Sequence, residues 1–164
     1  MEEIETLAKT LGERAKARGV TVASAESCTG GLIGAAMTSV AGSSVWFDRG
    51  FVTYTVASKT EMLDVDSRLI ESEGVVSEPV ARAMAVGALN HSKANLSVAV
   101  TGVAGPSGGT EKTPVGTVCF GFAFKVDSKI CAESSTQRFE GDRNSVRKAA
   151  LEFALKTLVE ILGP

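Results

Sequence analysis

The sequence predicts an α/β protein, a three-layer α/β/α sandwich built around a mixed sheet. Short apolar runs that read as strands alternate with segments of helical apolar spacing, which favours parallel strands joined by crossover helices. Two longer extended runs, Val115 to Lys125 and Ile130 to Phe139, are separated only by Val126-Asp127-Ser128-Lys129, a hairpin signal that adds antiparallel pairing to the sheet. The 164 residues suit a single domain over positions 1–164. A compact chain of that length buries roughly 70% of its unfolded surface, enough for one core without help from disulfides.

The elements follow in order. Residues 2 to 18 place Ile4, Leu7, Leu11 and Ala15 at helical spacing, with acidic residues first and Lys16 and Arg18 last, as the helix dipole favours; Gly19 supplies the stop. Val20 to Ala25 reads as a strand, and Gly30 to Val40 as a helix that Gly42 ends. Trp46 to Tyr54 is a second extended segment leading to a short helix over Ala57 to Leu63. Ser77 suits the cap of a further helix, with Pro79 tolerated in its first turn, running to about Ser92. Leu96 to Val100 is a strand that opens into a glycine-rich loop, Thr101 to Thr113. The last helix, Asp142 to Leu162, repeats apolar residues at Val146, Ala150, Phe153, Ala154, Leu158 and Ile161. No internal repeat, low-complexity tract or linker interrupts the chain.

Composition removes several functions. Seventeen Lys plus Arg against nineteen Asp plus Glu, with seven Phe, one Tyr and one Trp, leave neither the basic face nor the stacking platforms of a general nucleic-acid binder. With His91 as the only histidine, a multi-histidine metal site cannot be built, so no metal or other cofactor is expected and a hydrolytic base would not be imidazole. His91 itself, near a helix end, reads as a surface histidine. The widely spaced Cys28, Cys119 and Cys131 suggest reduced thiols in the cytoplasm. Met1-Glu2-Glu3-Ile4-Glu5 is acidic where a secretory signal would be basic, and no apolar run approaches the ~18 residues of a membrane span, so no membrane partner is expected.

Four segments could carry chemistry. Ala25-Glu26-Ser27-Cys28-Thr29-Gly30-Gly31 lies where the first strand hands over to a helix. There a nucleophilic hydroxyl would have amide donors beside it, although Ser27 or Thr29 equally suits a plain helix cap and Cys28 is a rival nucleophile. Tyr54 and Lys59 lie across a strand-to-helix junction, where lysine, alone or with tyrosine, is the candidate base if burial lowers its pKa; an exposed lysine is the competing reading. The loop from Thr101 through Gly102, Ala104 and Gly105 meets neither the P-loop nor the dinucleotide fingerprint. Close approach to a phosphate or ribose and a plain surface loop remain open for it. In Gly141-Asp142-Arg143, Asp142 suits a helix cap, whereas Arg143 puts a cation where the dipole disfavours one; a bound anion would reconcile the two, and simple exposure is the cheap alternative.

Taken together and in this order, these segments resemble the C-terminal domain of the CinA competence-damage family, and most closely its stand-alone members, the nicotinamide mononucleotide deamidases. The resemblance extends through Gly42-Ser43-Ser44, Phe47-Asp48-Arg49-Gly50, Val76-Ser77-Glu78-Pro79, Pro114-Val115-Gly116-Thr117 and Phe139-Glu140. It implies a single amidohydrolase domain that converts the carboxamide of nicotinamide mononucleotide to the carboxylate with release of ammonia. Carried over by residue, Ser27 looks like the nucleophile, Lys59 the base and Tyr54 a proton-relaying partner. Amides of the Cys28 to Gly30 turn would hold the oxyanion. Substrate binding falls to Cys28, Thr29, Gly30 and Gly31, to Thr101, Gly102, Ala104 and Gly105 of the loop, and to Arg143. A small-molecule nucleotide is thus the expected partner, in a homo-oligomer to which residues 2 to 18 could supply an interface. Many relatives carry an asparagine two residues after the tyrosine, where this chain has Val56. Two rival readings are a non-catalytic nucleotide-binding or docking module of the same family and a cysteine amidase using Cys28.

Overall fold

The structure is a computed structural model that describes residues 2–164; Met1 lies outside them. Five strands form one sheet in the order β2-β1-β3-β4-β5. Strands β1 (Val22–Glu26), β2 (Phe47–Val52) and β3 (Leu96–Gly102) are mutually parallel, while β4 (Thr117–Val126) and β5 (Lys129–Arg138) continue it antiparallel. The expected hairpin is real and tighter than its sequence suggested, because pairing runs to Val126 opposite Lys129. The two-residue turn Asp127-Ser128 takes positive φ at both positions, 51° and 68°, which matches the twist of the flanking strands.

Helices cover both faces. On one, α1 (Glu2–Arg18), α2 (Leu32–Thr38) and α6 (Arg143–Leu162) enclose a core of Leu11, Ile33, Met37, Trp46, Phe120, Leu155 and Leu158. On the other, α3 (Val56–Leu63), α4 (Ser67–Glu73) and α5 (Glu78–Asn90) pack Leu63, Ile70, Met84 and Leu89 against Ala23, Ala25, Ala99 and Ala123. Small residues on that face let α5 settle close to the sheet: a Cβ on Gly121 of β4 would strike the Ala81 carbonyl of α5. The apolar stripe of α1, expected as a possible interface, is spent internally, since Ile4, Leu11 and Ala15 are buried in the first core with α1 lying along α6. No helix among the described residues is long and apolar enough to cross a membrane.

Several boundaries differ from expectation. Helix α2 starts at Leu32 instead of Gly30, because Gly30 and Gly31 take φ of 57° and 107° and form a left-handed turn ahead of it. Thr101 and Gly102, expected to open the loop, still belong to β3 and pair with Cys119 and Val118. Helix α4 was not anticipated; its seven residues are too few for a legible period, and its cap, Asp66, accepts from the Arg68 amide. Ser77 and Asp142 do cap α5 and α6, accepting from the Val80 and Ser145 amides.

Candidate active site

The carboxyl ends of β1 and β3 lie side by side, with Glu26 opposite Val100 and the Ser27 amide donating to the Val100 carbonyl at 3.0 Å. On the other side of β1, the Thr53 amide donates to the Glu26 carbonyl at 2.8 Å as the chain leaves β2. Ser27 is thereby held between two neighbouring strand ends, the position in an open α/β sheet where ligands collect. Helix α3 starts immediately after β2, with Thr55 as its cap, and sends Lys59 back under Ser27.

Lys59 has no exposed surface. Its Nζ lies 3.0 Å from Ser27 Oγ, 2.6 Å from the Thr53 carbonyl oxygen and 3.4 Å from that of Tyr54. Burial disfavours the ammonium and pulls the pKa from 10.5 down to about 8. The surroundings suit a neutral amine: two N–H donors face two carbonyls, and the lone pair is left for the Ser27 hydroxyl. Cys28, by contrast, is 5% exposed in the apolar core, and burial pushes its thiol up to about 11. A thiol so placed is protonated near neutral pH, which removes the basis for a cysteine nucleophile.

The turn after Ser27 is organised differently from the sequence expectation. Glu26, buried at the end of β1, accepts from the Thr29 hydroxyl at 2.7 Å and from the Ile33 and Gly34 amides at 2.9 and 3.0 Å. The amino terminus of α2 is thus occupied by an internal carboxylate and is not free to receive an anion. The Gly30 amide donates to the Ser27 carbonyl at 3.1 Å and Thr29 is fully buried, so the expected oxyanion donors reduce to the Cys28 amide, which has no acceptor among the described residues. From α6, Arg147 donates through Nε to the Cys28 carbonyl at 3.0 Å and through Nη2 to that of Thr29 at 3.3 Å.

In front of Ser27 is a cavity of about 350 Å³. Ser27, Cys28, Tyr54, Thr101, Gly102, Ala104, Gly105 and Arg143 all contribute to its wall, joined by Val56, Val75, Val76 and Val103, to which the sequence reading had given no binding role. Thr29, Gly30 and Gly31 do not line it; the Thr29 side chain turns away to Glu26. Tyr54 is 60% exposed, and its backbone carbonyl, not its ring, approaches Lys59. Its hydroxyl accepts from Arg143 Nη2 at 3.1 Å, while Arg143 Nη1 donates to the Gly105 carbonyl at 2.8 Å. Arg143 therefore bridges the glycine-rich loop and the β2–α3 junction across the cavity mouth. His91 pairs with Asp64 at 2.6 Å, linking the carboxyl ends of α5 and α3 away from the cavity.

Glu26 and Arg147 are the members of this constellation whose parts sequence reasoning missed. Glu26, six places ahead of α2, carries no local capping signal, whereas Arg147 follows Arg143 by one helical turn, which puts both guanidinium groups toward the same sheet edge.

The site pairs a hydroxyl with a buried amine able to act as its base, at the strand ends of a three-layer α/β sandwich. The sequence matches the CinA C-terminal domain over residues 4–162, and the chain belongs to that family. It is 47% identical over 158 residues to the nicotinamide-nucleotide amidohydrolase PncC of Escherichia coli, covering 95% of this chain and 93% of that one. A CinA-like protein of Syntrophobacter fumaroxidans is 44% identical over 96% of this chain, which spans only 36% of that longer protein. Among solved structures, the competence/damage inducible protein CihA from Agrobacterium tumefaciens superposes with a TM-score of 0.91 at 40% identity, covering 98% of this chain and 96% of that one. A CinA superfamily protein from Escherichia coli superposes with a TM-score of 0.90 at 35% identity, covering 96% and 90%.

Proposed function

We propose that this protein is a nicotinamide-nucleotide amidohydrolase, which converts nicotinamide mononucleotide to nicotinate mononucleotide and ammonia within one domain spanning residues 1–164. The observation that carries the reading is the contact between Ser27 Oγ and a fully buried Lys59 whose other partners are two carbonyls. The similarity to PncC along nearly the whole chain supports the substrate.

Ser27 Oγ attacks the carboxamide carbon and its proton passes to the neutral Lys59 Nζ. The carbonyl oxygen becomes an oxyanion held by the Cys28 amide. As the C–N bond breaks, the Lys59 ammonium protonates the departing nitrogen, which leaves as ammonia. Water, deprotonated by Lys59, then hydrolyses the Ser27 ester, releases the carboxylate and restores the hydroxyl. The pyridinium of the substrate disfavours a second cation nearby and so helps to keep Lys59 neutral. Val56, Val75, Val76 and Val103 supply apolar walls for the ring, and Arg143 is the one cation among the described residues that line the cavity, suited to the phosphate. Tyr54 acts through its carbonyl on Lys59 and its hydroxyl on Arg143, with no proton relayed through the ring.

A homo-oligomeric assembly belongs to the same reading and is tested by light scattering. So does a cytoplasmic setting, which the three free thiols support. The activity is tested by measuring ammonia from purified protein offered nicotinamide mononucleotide, nicotinamide riboside and nicotinamide in parallel. The mononucleotide should be the best substrate. No release from it, or a preference for free nicotinamide, would overturn the assignment.

A further inference from the structure

We infer that Arg147 is a positioning residue for amide hydrolysis: from behind the Ser27 turn it holds the Thr29 carbonyl and, through the Gly30 amide of the same peptide plane, the Ser27 carbonyl, so that the Cys28 amide points at the developing oxyanion. The inference rests on the proposed hydrolysis at Ser27 and adds to it a residue that never touches substrate.

The geometry points there through the planarity of the peptide group. In a trans peptide the C=O and the following N–H point in opposite directions. The Thr29 carbonyl and the Gly30 amide belong to one such plane; Arg147 Nη2 holds the carbonyl end at 3.3 Å, and the amide end donates to the Ser27 carbonyl at 3.1 Å. The Ser27 carbonyl in turn shares its plane with the Cys28 amide, which is thereby turned away from Gly30 and has no acceptor among the described residues, and Cys28 lines the cavity. Arg147 is absent from the cavity wall; it lines a separate groove on the far side of the turn with Leu32, Ala36 and Leu151. The intervening Cys28 carbonyl is held by Arg147 Nε at 3.0 Å.

Gly30 and Gly31 both take positive φ, a permissive backbone that lets a peptide plane rotate. A Cβ on Gly30 would come within 3.2 Å of Arg147 Nη2, so glycine there also admits the guanidinium. Glu26 clamps the same turn through the Thr29 hydroxyl, leaving peptide rotation as the freedom that Arg147 removes. A cation on the carbonyl side also polarises the peptide and makes its N–H the stronger donor.

The test compares wild type, Arg147→Lys and Arg147→Met, the last keeping an apolar stem. Ammonia release from nicotinamide mononucleotide is followed across pH, alongside two affinities. One is for nicotinate mononucleotide, the product. The other is for the mononucleotide of pyridine-3-carboxaldehyde, to which Ser27 Oγ adds: the Oγ–C bond forms, the carbonyl π pair moves onto oxygen, and the Ser27 proton goes to Lys59.

Arg147→Met should lower kcat roughly ten- to a hundred-fold, less than the full loss of an oxyanion donor, with KM and product affinity changed little. Aldehyde affinity should fall in step with kcat, and Arg147→Lys should recover part of both. The pH midpoint should stay where wild type has it, because Lys59 is untouched. A kcat for Arg147→Met within about threefold of wild type, or equal losses of product and aldehyde affinity, would overturn the role. Absence of ammonia release from wild type would instead refute the proposed activity, and the role of Arg147 with it.

Discussion

Lys59 is enclosed by two backbone carbonyls and the Ser27 hydroxyl, and its pKa near 8 makes turnover a function of pH. Ammonia release should rise with pH through a midpoint near 8 as the amine loses its proton, measurable as kcat/KM against pH. Lys59→Arg should be as inactive as Lys59→Ala, since a guanidinium keeps its proton throughout that range. Stability should carry the same signature. The folded pKa lies below the unfolded one, so between about 8 and 10.5 the unfolded chain holds more protons and wild type gains stability as pH rises. Below that window the buried ammonium costs about 3 kcal/mol. The stability of wild type relative to Lys59→Met should therefore improve from pH 7.5 to pH 10.5 in urea unfolding; a constant difference would contradict the burial argument. The strand-to-helix turn and the lack of spare histidines made Ser27 and Lys59 legible as candidates, with a plain cap and an exposed lysine left open, and only the family resemblance suggested their roles. The burial of Lys59 was not legible, because its amine is enclosed by Ser27 and by the Thr53 and Tyr54 carbonyls, backbone and distant groups that leave no mark on the local pattern around position 59.

At the scale of elements, the site depends on how closely α3 and α5 approach. Gly87 of α5 faces the carboxyl end of α3, and a Cβ there would fall on the Leu63 carbonyl. Gly87→Ala should thus lower the melting temperature and kcat together, although alanine alone favours a helix by about 1 kcal/mol; overpacking typically costs 1–3 kcal/mol. A rise in melting temperature would show that the helices can part without consequence. The start of α2 makes a second case. Replacing Glu26 by Gln sets an amide N–H₂ against one of three donors and should cost about 1 to 3 kcal/mol in urea unfolding. Strong elements, α1, α5, α6 and the hairpin, were readable from apolar spacing and caps. The start of α2 was misjudged because glycines that look like helix residues take positive φ, and α4 was missed because seven residues hardly show a period.

Across the whole molecule, the cavity draws Ser27 from β1, Tyr54 from the end of β2, the loop after β3 and Arg143 from α6, segments joined only by the sheet order. Spacing alone could name these segments but not their meeting, which is why the cross-cavity bridge of Arg143 to Tyr54 and Gly105 became visible only in three dimensions. Two of the five guanidinium donors are engaged there, leaving three for a phosphate. Arg143→Ala should raise KM for the mononucleotide roughly ten- to a hundred-fold while changing the riboside much less, as loss of a charged hydrogen bond of about 1.5 to 3 kcal/mol requires. Equal damage to both substrates would mean that Arg143 serves the loop and not the phosphate. The central claim is that Ser27 performs covalent hydrolysis of a nicotinamide nucleotide with Lys59 as its base. It is tested most directly by ammonia and nicotinate mononucleotide formed from nicotinamide mononucleotide by wild type, Ser27→Ala and Cys28→Ala side by side. The account predicts equimolar products from wild type, most of that rate from Cys28→Ala, and a rate lower by several orders of magnitude from a folded Ser27→Ala; near-wild-type turnover in Ser27→Ala would contradict it.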